Sequence, residues 1–389
     1  MFPQARTCPY HPSPAYQALR EGPALQRVAL TTGQEAWIVS GHAEARALLA
    51  DPRVSADRMR EGYPIIAPPG VAAVQTARKR PFVALDDPEH GRIRRMLIPE
   101  FTVRRFKELQ PDIERIVQET LDAMIDRGSP ADLVTSFSLP VPSLVISRLL
   151  GVPYKDHDFF QTQSRVMVQS ADPVEGQQAM AAIGKYLADL AADPPPGLIA
   201  RLKEDQVATG AMDPEDLVLN AMLLLFAGHE TTASVISLAV ITLLDHPEQL
   251  ALLRSDPDVV PAAVEELLRY LSIVDAGPQR IAAEDIEIGG VVVKAGDGIV
   301  IASALANRDP GTFEDPDRFD IAREPNHHVA FGFGVHQCLG QNLARMELRL
   351  ALPALFERIP ALRLAVPVEE LLLRPAVAIQ GVNSLPVEW

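Results

Sequence analysis

From Leu217 to Leu244 the chain is almost wholly apolar, and this stretch limits the fold more than any other feature. Asn220 and the pair His229-Glu230 interrupt it before any run reaches the roughly 18 residues that a membrane span requires. A helix buried inside a protein fits better. Asp213-Pro214-Glu215-Asp216 supplies its start: Asp213 offers an acceptor to the first free N–H groups, Pro214 suits the first helical position, and the acids complement the positive helix end. It is predicted to run to Asp245, because Pro247 pushes His246 out of the helical region. At 1.5 Å per residue such a helix is about 48 Å long, enough to cross the whole molecule. A helix apolar on all sides belongs in the interior, which leaves the glutamate in its middle to be explained.

The rest of the 389-residue chain supplies a core to bury that helix in: 47% of it is apolar, and its 34 Pro and 23 Gly fall below the level of low-complexity disorder. A net charge of −15 excludes a general nucleic-acid binder, which needs clustered positive charge. Two cysteines, Cys8 and Cys338, are too few for a disulfide framework and point to a reducing, cytoplasmic setting. The first residues lack a basic region followed by an apolar run, so neither a signal peptide nor a membrane anchor is expected. Helical spacing recurs at 42–50, 104–127 and 177–192. Strands are predicted at 25–39 around a Thr-Thr-Gly turn, at 286–302, and in the apolar C-terminal tail. Pro194-Pro195-Pro196 is a short stiff connector, and nothing is long or polar enough to be an interdomain linker. Residues 1–389 are therefore expected to form one mainly helical body with a minor β part.

Two constellations carry chemistry. Glu230 lies in Ala227-Gly228-His229-Glu230-Thr231-Thr232, where an ionisable group in mid-core is costly unless paired. One reading is a solvated notch where the helix skims the surface. The other is a local bulge in which Gly228 makes room for a ligand while Glu230 and Thr231 move protons. The second constellation is Phe331-Gly332-Phe333-Gly334-Val335-His336-Gln337-Cys338-Leu339-Gly340, directly ahead of a helical segment. Glycines around one cysteine let backbone N–H groups point at the sulfur, and the positive helix end favours thiolate. One thiolate in a tight loop, with no Cys-x-x-Cys, suits the single axial bond of haem iron.

The decapeptide resembles the cysteine-loop signature of the cytochromes P-450, Phe-x-x-Gly-x-His/Arg-x-Cys-x-Gly, with every fixed position filled. Ala227-Gly228-x-Glu230-Thr231 is similar to the oxygen-activating segment of that family's central helix. Glu266-Leu267-Leu268-Arg269 resembles its Glu-x-x-Arg motif, and Asp315-Pro316-Asp317-Arg318-Phe319 the loop whose arginine completes the triad. The style is that of soluble bacterial members, closest to actinomycete hydroxylases of secondary metabolites and xenobiotics.

The resemblance implies haem b held between the central helix and the cysteine-loop helix, with Cys338 as the metal ligand and Phe331 and Gly228 beside the cofactor. It implies propionate contacts from His90, Arg94, Arg280 and His336, and proton delivery by Glu230 and Thr231. A triad of Glu266, Arg269 and Arg318 would brace the cysteine loop. The implied activity is insertion of one oxygen atom from O2 into an apolar small molecule; a peroxygenase, an isomerase and a haem-based sensor are the alternatives, which the Glu230-Thr231 pair disfavours. The segment Tyr63–Val71 with Ile273, Val274 and Val377–Ile379 would line the pocket, and Asp275 would be a polar contact there. Between His90 and Lys107, six cations (Arg92, Arg94, Arg95, Arg104, Arg105, Lys107) face one acid, Glu100. The resemblance places this run on the cysteine side, so an acidic ferredoxin, served by its reductase, is the expected electron donor. No nucleic-acid or membrane partner is expected, and the protein is expected to be a monomer.

Overall fold

The computed structural model describes residues 2–66, 79–156, 158–160, 162, 163, 166, 172–374 and 379–389. Its axis is the central helix Pro214–Asp245, 32 residues long, which ends at His246 in a non-helical conformation (φ −125°, ψ 74°). Its apolar stretch has a mean hydropathy of 1.5, and 78% of that window is buried inside the protein, so it is a core helix. Asp213 stands extended before the first turn but does not cap it with its side chain. Its carboxylate instead accepts from Lys79 Nζ at 2.9 Å, and that ammonium also lies 3.3 Å from Glu215 and 3.4 Å from Asp216. The acids thus complement the helix dipole and tie the helix start to the segment entering at residue 79.

Three helices pack around this axis. Pro140–Leu150 packs along it, Val103–Arg127 packs outside that helix, and Gln341–Arg358, the cysteine-loop helix, packs against both Val103–Arg127 and the central helix. The largest apolar cluster joins them through side chains such as Phe137, Val145, Ile236, Val240 and Leu352. Each such residue, fully buried, contributes about 1.5–3 kcal/mol. Gly228 is placed by this packing. The helix is continuous through it, and a Cβ there would lie 2.9 Å from Ile146, so the glycine lets two helices cross closely. The predicted bulge is absent; Gly228 makes room for Ile146.

The β part is a five-stranded mixed sheet of order β1-β2-β8-β5-β3, with β1 Leu25–Ala29, β2 Glu35–Val39, β3 Val54–Ser55, β5 Gln279–Ala282 and β8 Gly298–Ile301. A two-stranded hairpin (β6 Ile286–Ile288, β7 Val291–Val293) and a three-stranded sheet (β4 Ala131–Asp132, β10 Pro386–Glu388, β9 Arg363–Leu364) complete it. The middle of the main sheet is buried on both faces, with successive side chains alternating. Val39, Ile299 and Ile301 face the helix His42–Ala50 through Leu48 and Leu49, whereas Ile38 and Val300 face Phe2 and Tyr16.

Candidate active site

Phe331 to Gly340 closes on itself. Cys338 N–H donates to Phe331 O at 2.9 Å, and Gln337 N–H to Gly334 O at 3.0 Å. Gly334 has φ 73°, and a Cβ on it would stand 2.2 Å from Leu49 O, so only glycine lets the loop lie this close to the end of His42–Ala50. The ring of Phe331 is covered by the Arg345 guanidinium, 4.6 Å from its centroid. Cys338 itself keeps accessible surface. Desolvation pushes its thiol above the usual value, while the N–H groups of Gly340 and Gln341, with Arg94 and Arg345, favour thiolate as the glycine pattern predicts.

Beside the cysteine, four bases converge from three separate parts of the chain. His90 and His336 lie ring against ring, 3.9 Å between centroids, and Phe82 stacks on His90 at 5.9 Å. His90 Nδ1 pairs with Asp87 at 3.2 Å, which leaves Nε2 buried without a partner; Nδ1 of His336 is orphaned in the same way. Arg94 donates to Gln337 O at 2.6 Å and Arg280 to Gln279 O at 2.7 Å. Among the described residues neither arginine has a carboxylate partner in an ion pair. Burial, then Arg280, His90 and Arg94, holds His336 down at about 3, and burial likewise lowers His90, Arg94 and Arg280. Half-buried guanidinium groups without anions and buried ring nitrogens without partners are both costly. A ligand carrying two carboxylates next to a thiolate-bound metal would relieve all four, and haem is such a ligand.

The central helix supplies the remaining chemistry. On this buried helix Leu223, Ala227 and Thr231, spaced four apart, keep accessible surface and mark the face on which space remains. Thr231 Oγ1 donates to Ala227 O at 2.6 Å. Glu230, one residue earlier, turns away and is buried. Arg374 Nη1 lies 2.6 Å from its Oε1, outside the hydrogen-bonding direction, and the Nε2 of His229 lies 3.9 Å from Oε2. Arg374 is held in turn by Ser234 Oγ at 3.2 Å and Asn383 Oδ1 at 3.2 Å. The carboxylate is therefore a paired buried charge, and the solvated-notch reading is excluded. Arg374 was not singled out from sequence, because nothing in the residues around it marks it as the partner of a buried acid.

Two expectations are corrected. Glu266 and Arg269 form a buried bidentate pair at 2.7 and 2.8 Å, but their third member is Arg323, whose Nε lies 3.2 Å from Glu266 Oε1. The Arg318 side chain is exposed beside Asp320; only its carbonyl joins the network, accepting from Arg323 at 3.0 Å and Arg269 at 3.4 Å. The loop turns so that the second arginine, five residues on, points inward. Asp275 is also no free pocket contact, because Arg6 and Gln380 occupy its two oxygens, each at 3.2 Å. Ile273 hydrogen-bonds through its carbonyl to Gln380 N–H at 2.8 Å, beside Ile379, whereas residues 67–71, 377 and 378 lie outside the described residues. Glu347, buried in the cysteine-loop helix with Oε2 unpartnered and its carboxyl pushed well up by burial, was not singled out from sequence.

The family model described as Cytochrome P450 matches residues 177–260 and 254–359. Vitamin D3 dihydroxylase of Streptomyces griseolus is 53% identical, covering 100% of this chain and 96% of its own. The chain belongs to the cytochrome P450 family. Pentalenic acid synthase of Streptomyces avermitilis is 52% identical over 100% of this chain and 97% of that protein. The crystal structure of cytochrome P450 MoxA from Nonomuraea recticatena superposes with a TM-score of 0.95 at 47% identity, covering 100% of this chain and 98% of the other. The mainly helical P450 fold is thereby shown. This P450 is an oxidoreductase that binds haem and oxygenates small molecules with O2 and electrons from a redox partner.

Proposed function

We propose that this P450 is a single-domain, cytoplasmic, monomeric hydroxylase in which Cys338 is the axial ligand of haem b, with Phe331 and Gly228 close to the cofactor. His90, Arg94, Arg280 and His336 hold its propionates. The observation that carries this is the pair of orphaned buried histidine nitrogens set among two half-buried arginines that have no carboxylate partner among the described residues, next to the cysteine loop. Held by Cys338, haem supplies the binding and reductive activation of dioxygen. Hydroxylation consumes one O2, two electrons and two protons to leave an alcohol and a water, so the protein must deliver protons while keeping bulk water out. Thr231 presents the hydroxyl on the open face, and Glu230 recharges it from the buried side, where Arg374 fixes the carboxylate. The apolar stretch at Ile65-Ile66 and Ile273-Val274 supports a medium to large hydrophobic substrate, and relatives named for vitamin D3 and pentalenic acid are in keeping with it.

The test of the axial assignment is a pair of cysteine variants. Cys8→Ser is expected to keep the red-shifted Soret band of the reduced carbon monoxide complex, and Cys338→His to abolish it. Loss of the band in Cys8→Ser would reverse the assignment.

The electron donor is read as an acidic ferredoxin working with its reductase. Part of the basic run already has partners: Arg94 turns inward, Arg105 is paired with Glu100 and Glu108, and Arg104 lies 3.9 Å from Glu108 at the exposed surface. Arg92, Arg95, Arg104 and Lys107 stay exposed together with Ile98 and Val103, and Val103 shares a groove with Asn342 and Met346 of the cysteine-loop helix. Charge rimming an apolar patch suits steered docking. Arg104→Glu with Lys107→Glu is expected to raise the ferredoxin concentration needed for half-maximal turnover about tenfold and to weaken its salt dependence. Substrate binding, read from the haem spectrum, stays as it was. Unaltered carrier kinetics would leave the run as a solvated face.

A further inference from the structure

The N-terminal segment Phe2–Arg6 is bound into the fold at both ends. Phe2 N–H donates to Ala29 O and Thr31 N–H to Phe2 O, both at 3.0 Å, and the buried Phe2 ring packs against Tyr16, 5.1 Å between centroids. Tyr16 Oη accepts from Gln4 N–H at 2.7 Å. An N-terminal segment stays ordered only where it is tied down in this way. At its other end Arg6 spends its guanidinium on one place. Nη1 donates to Leu271 O and Nη2 to Ser272 O, both at 2.9 Å, and Nε donates to Asp275 Oδ2 at 3.2 Å. Leu271 ends the helix Val260–Leu271 and Ser272 follows in a left-handed conformation, so Arg6 satisfies carbonyls that no intrahelical donor reaches. A planar fork makes these bonds together, which a lysine ammonium does not.

From Asp275 a series of hydrogen bonds leads to Arg374, the ion-pair partner of the buried acid. The other oxygen of Asp275 accepts from Gln380 Nε2 at 3.2 Å, and Gln380 N–H donates to Ile273 O at 2.8 Å. The next residue, Gly381, takes Arg374 N–H on its carbonyl at 2.9 Å, inside an antiparallel bridge of Leu373 to Val382. A Cβ on Gly381 would lie 2.9 Å from Ser234 Oγ and 3.5 Å from Arg374 Cζ, so this strand is pressed against the central helix where Arg374 meets Glu230. Every side chain in the series is buried.

We propose that Arg6 is a positioning residue for proton delivery: by fixing Asp275 and with it Gln380-Gly381, it sets where Arg374 meets Glu230, though it touches neither substrate nor haem. The proposal rests on the reading of Glu230 as the proton-relaying acid. A strap that served stability alone would shift the unfolding midpoint and nothing else.

The experiment uses the holoenzyme with Arg6→Ala, Gln380→Met, Arg374→Ala and Glu230→Gln. Gln380→Met cuts the link beyond the strap, so it decides the matter if Arg6→Ala fails to fold. The readouts are turnover per bound haem, its solvent isotope effect, and hydrogen exchange at the amides of Gln380 and Arg374. Arg6→Ala and Gln380→Met are expected to slow turnover about fivefold, to raise the solvent isotope effect, and to speed exchange at both amides about tenfold. Added to Arg374→Ala, neither should slow turnover further. Multiplying effects in the double variants, or an unaltered isotope effect, would overturn the proposal. If Glu230→Gln slows turnover while Arg6→Ala and Gln380→Met do not, the acid keeps its role and the strap loses its own. If Glu230→Gln turns over as wild type does, both fall.

Discussion

Glu266→Ala is expected to give protein with little or no bound haem and a sharply lowered unfolding midpoint. One carboxylate here receives five donors: Nε and Nη2 of Arg269, Nε of Arg323, the Asp320 amide and Asn326 Nδ2. Neither Glu266 nor Arg269 has any exposed side-chain surface. Breaking such a pair leaves a buried guanidinium uncompensated, at a cost of about 3–5 kcal/mol, against a total stability of about 5–15 kcal/mol for a domain. The same network ties the helix Val260–Leu271 to the segment 316–326 that leads into the cysteine loop, through Arg269 Nη1 to Pro316 O at 2.8 Å. Losing it frees that segment, and with it the register of Phe331 to Cys338. Arg323→Ala should reproduce the defect in milder form, and Arg318→Ala should not, because the Arg318 side chain stands in solvent. The measurements are the haem-to-protein absorbance ratio and chemical unfolding. Full haem occupancy with a selective loss of turnover in Glu266→Ala would assign the carboxylate a catalytic role instead.

The exchange of Arg318 for Arg323 shows where sequence reading reaches its limit. Glu266 and Arg269 share a helix, so their meeting follows from a period of 3.6 residues. Which arginine of an irregular loop reaches them depends on turns between Asp315 and Asn326, where Asp315 itself adopts φ 42°. No periodicity encodes that path. Strands divide in the same manner. The hairpin of β1 and β2 carries its own turn and was legible, whereas β3, β4 and β5 are two to four residues long and exist because a distant strand pairs with them. The converging bases were legible only through the family's motifs, since His90 and His336 are far apart in the chain yet stack at 3.9 Å. Gly228 was read as making room for a ligand, whereas Ile146 lies against it: a glycine in a helix signals a close approach, and sequence alone does not say which group is approaching.

Thr231→Ala is expected to bind haem and substrate, to accept electrons, and to make little product. The hydroxyl is the polar group that the open face of the central helix presents beside Ala227, and its present acceptor, the Ala227 carbonyl, is a weak hold that rotation about one bond releases. Glu230 cannot replace it directly, because one helical step turns its carboxylate to Arg374 on the buried side. Without a positioned donor, two electrons and two protons leave with dioxygen as hydrogen peroxide before the O–O bond breaks. Carrier oxidation should therefore continue while product per carrier drops about a hundredfold, in the range typical for a lost general acid. Thr231→Ser keeps the hydroxyl and should retain most of the coupling. Glu230→Gln differs in kind: the amide keeps the size but not the relay, so turnover slows while the product that forms remains coupled. The deciding measurement is the ratio of product to carrier oxidised, with hydrogen peroxide assayed in parallel. An unchanged ratio in Thr231→Ala removes the hydroxyl from this role, and efficient product formation by the wild type from added peroxide alone makes the protein a peroxygenase.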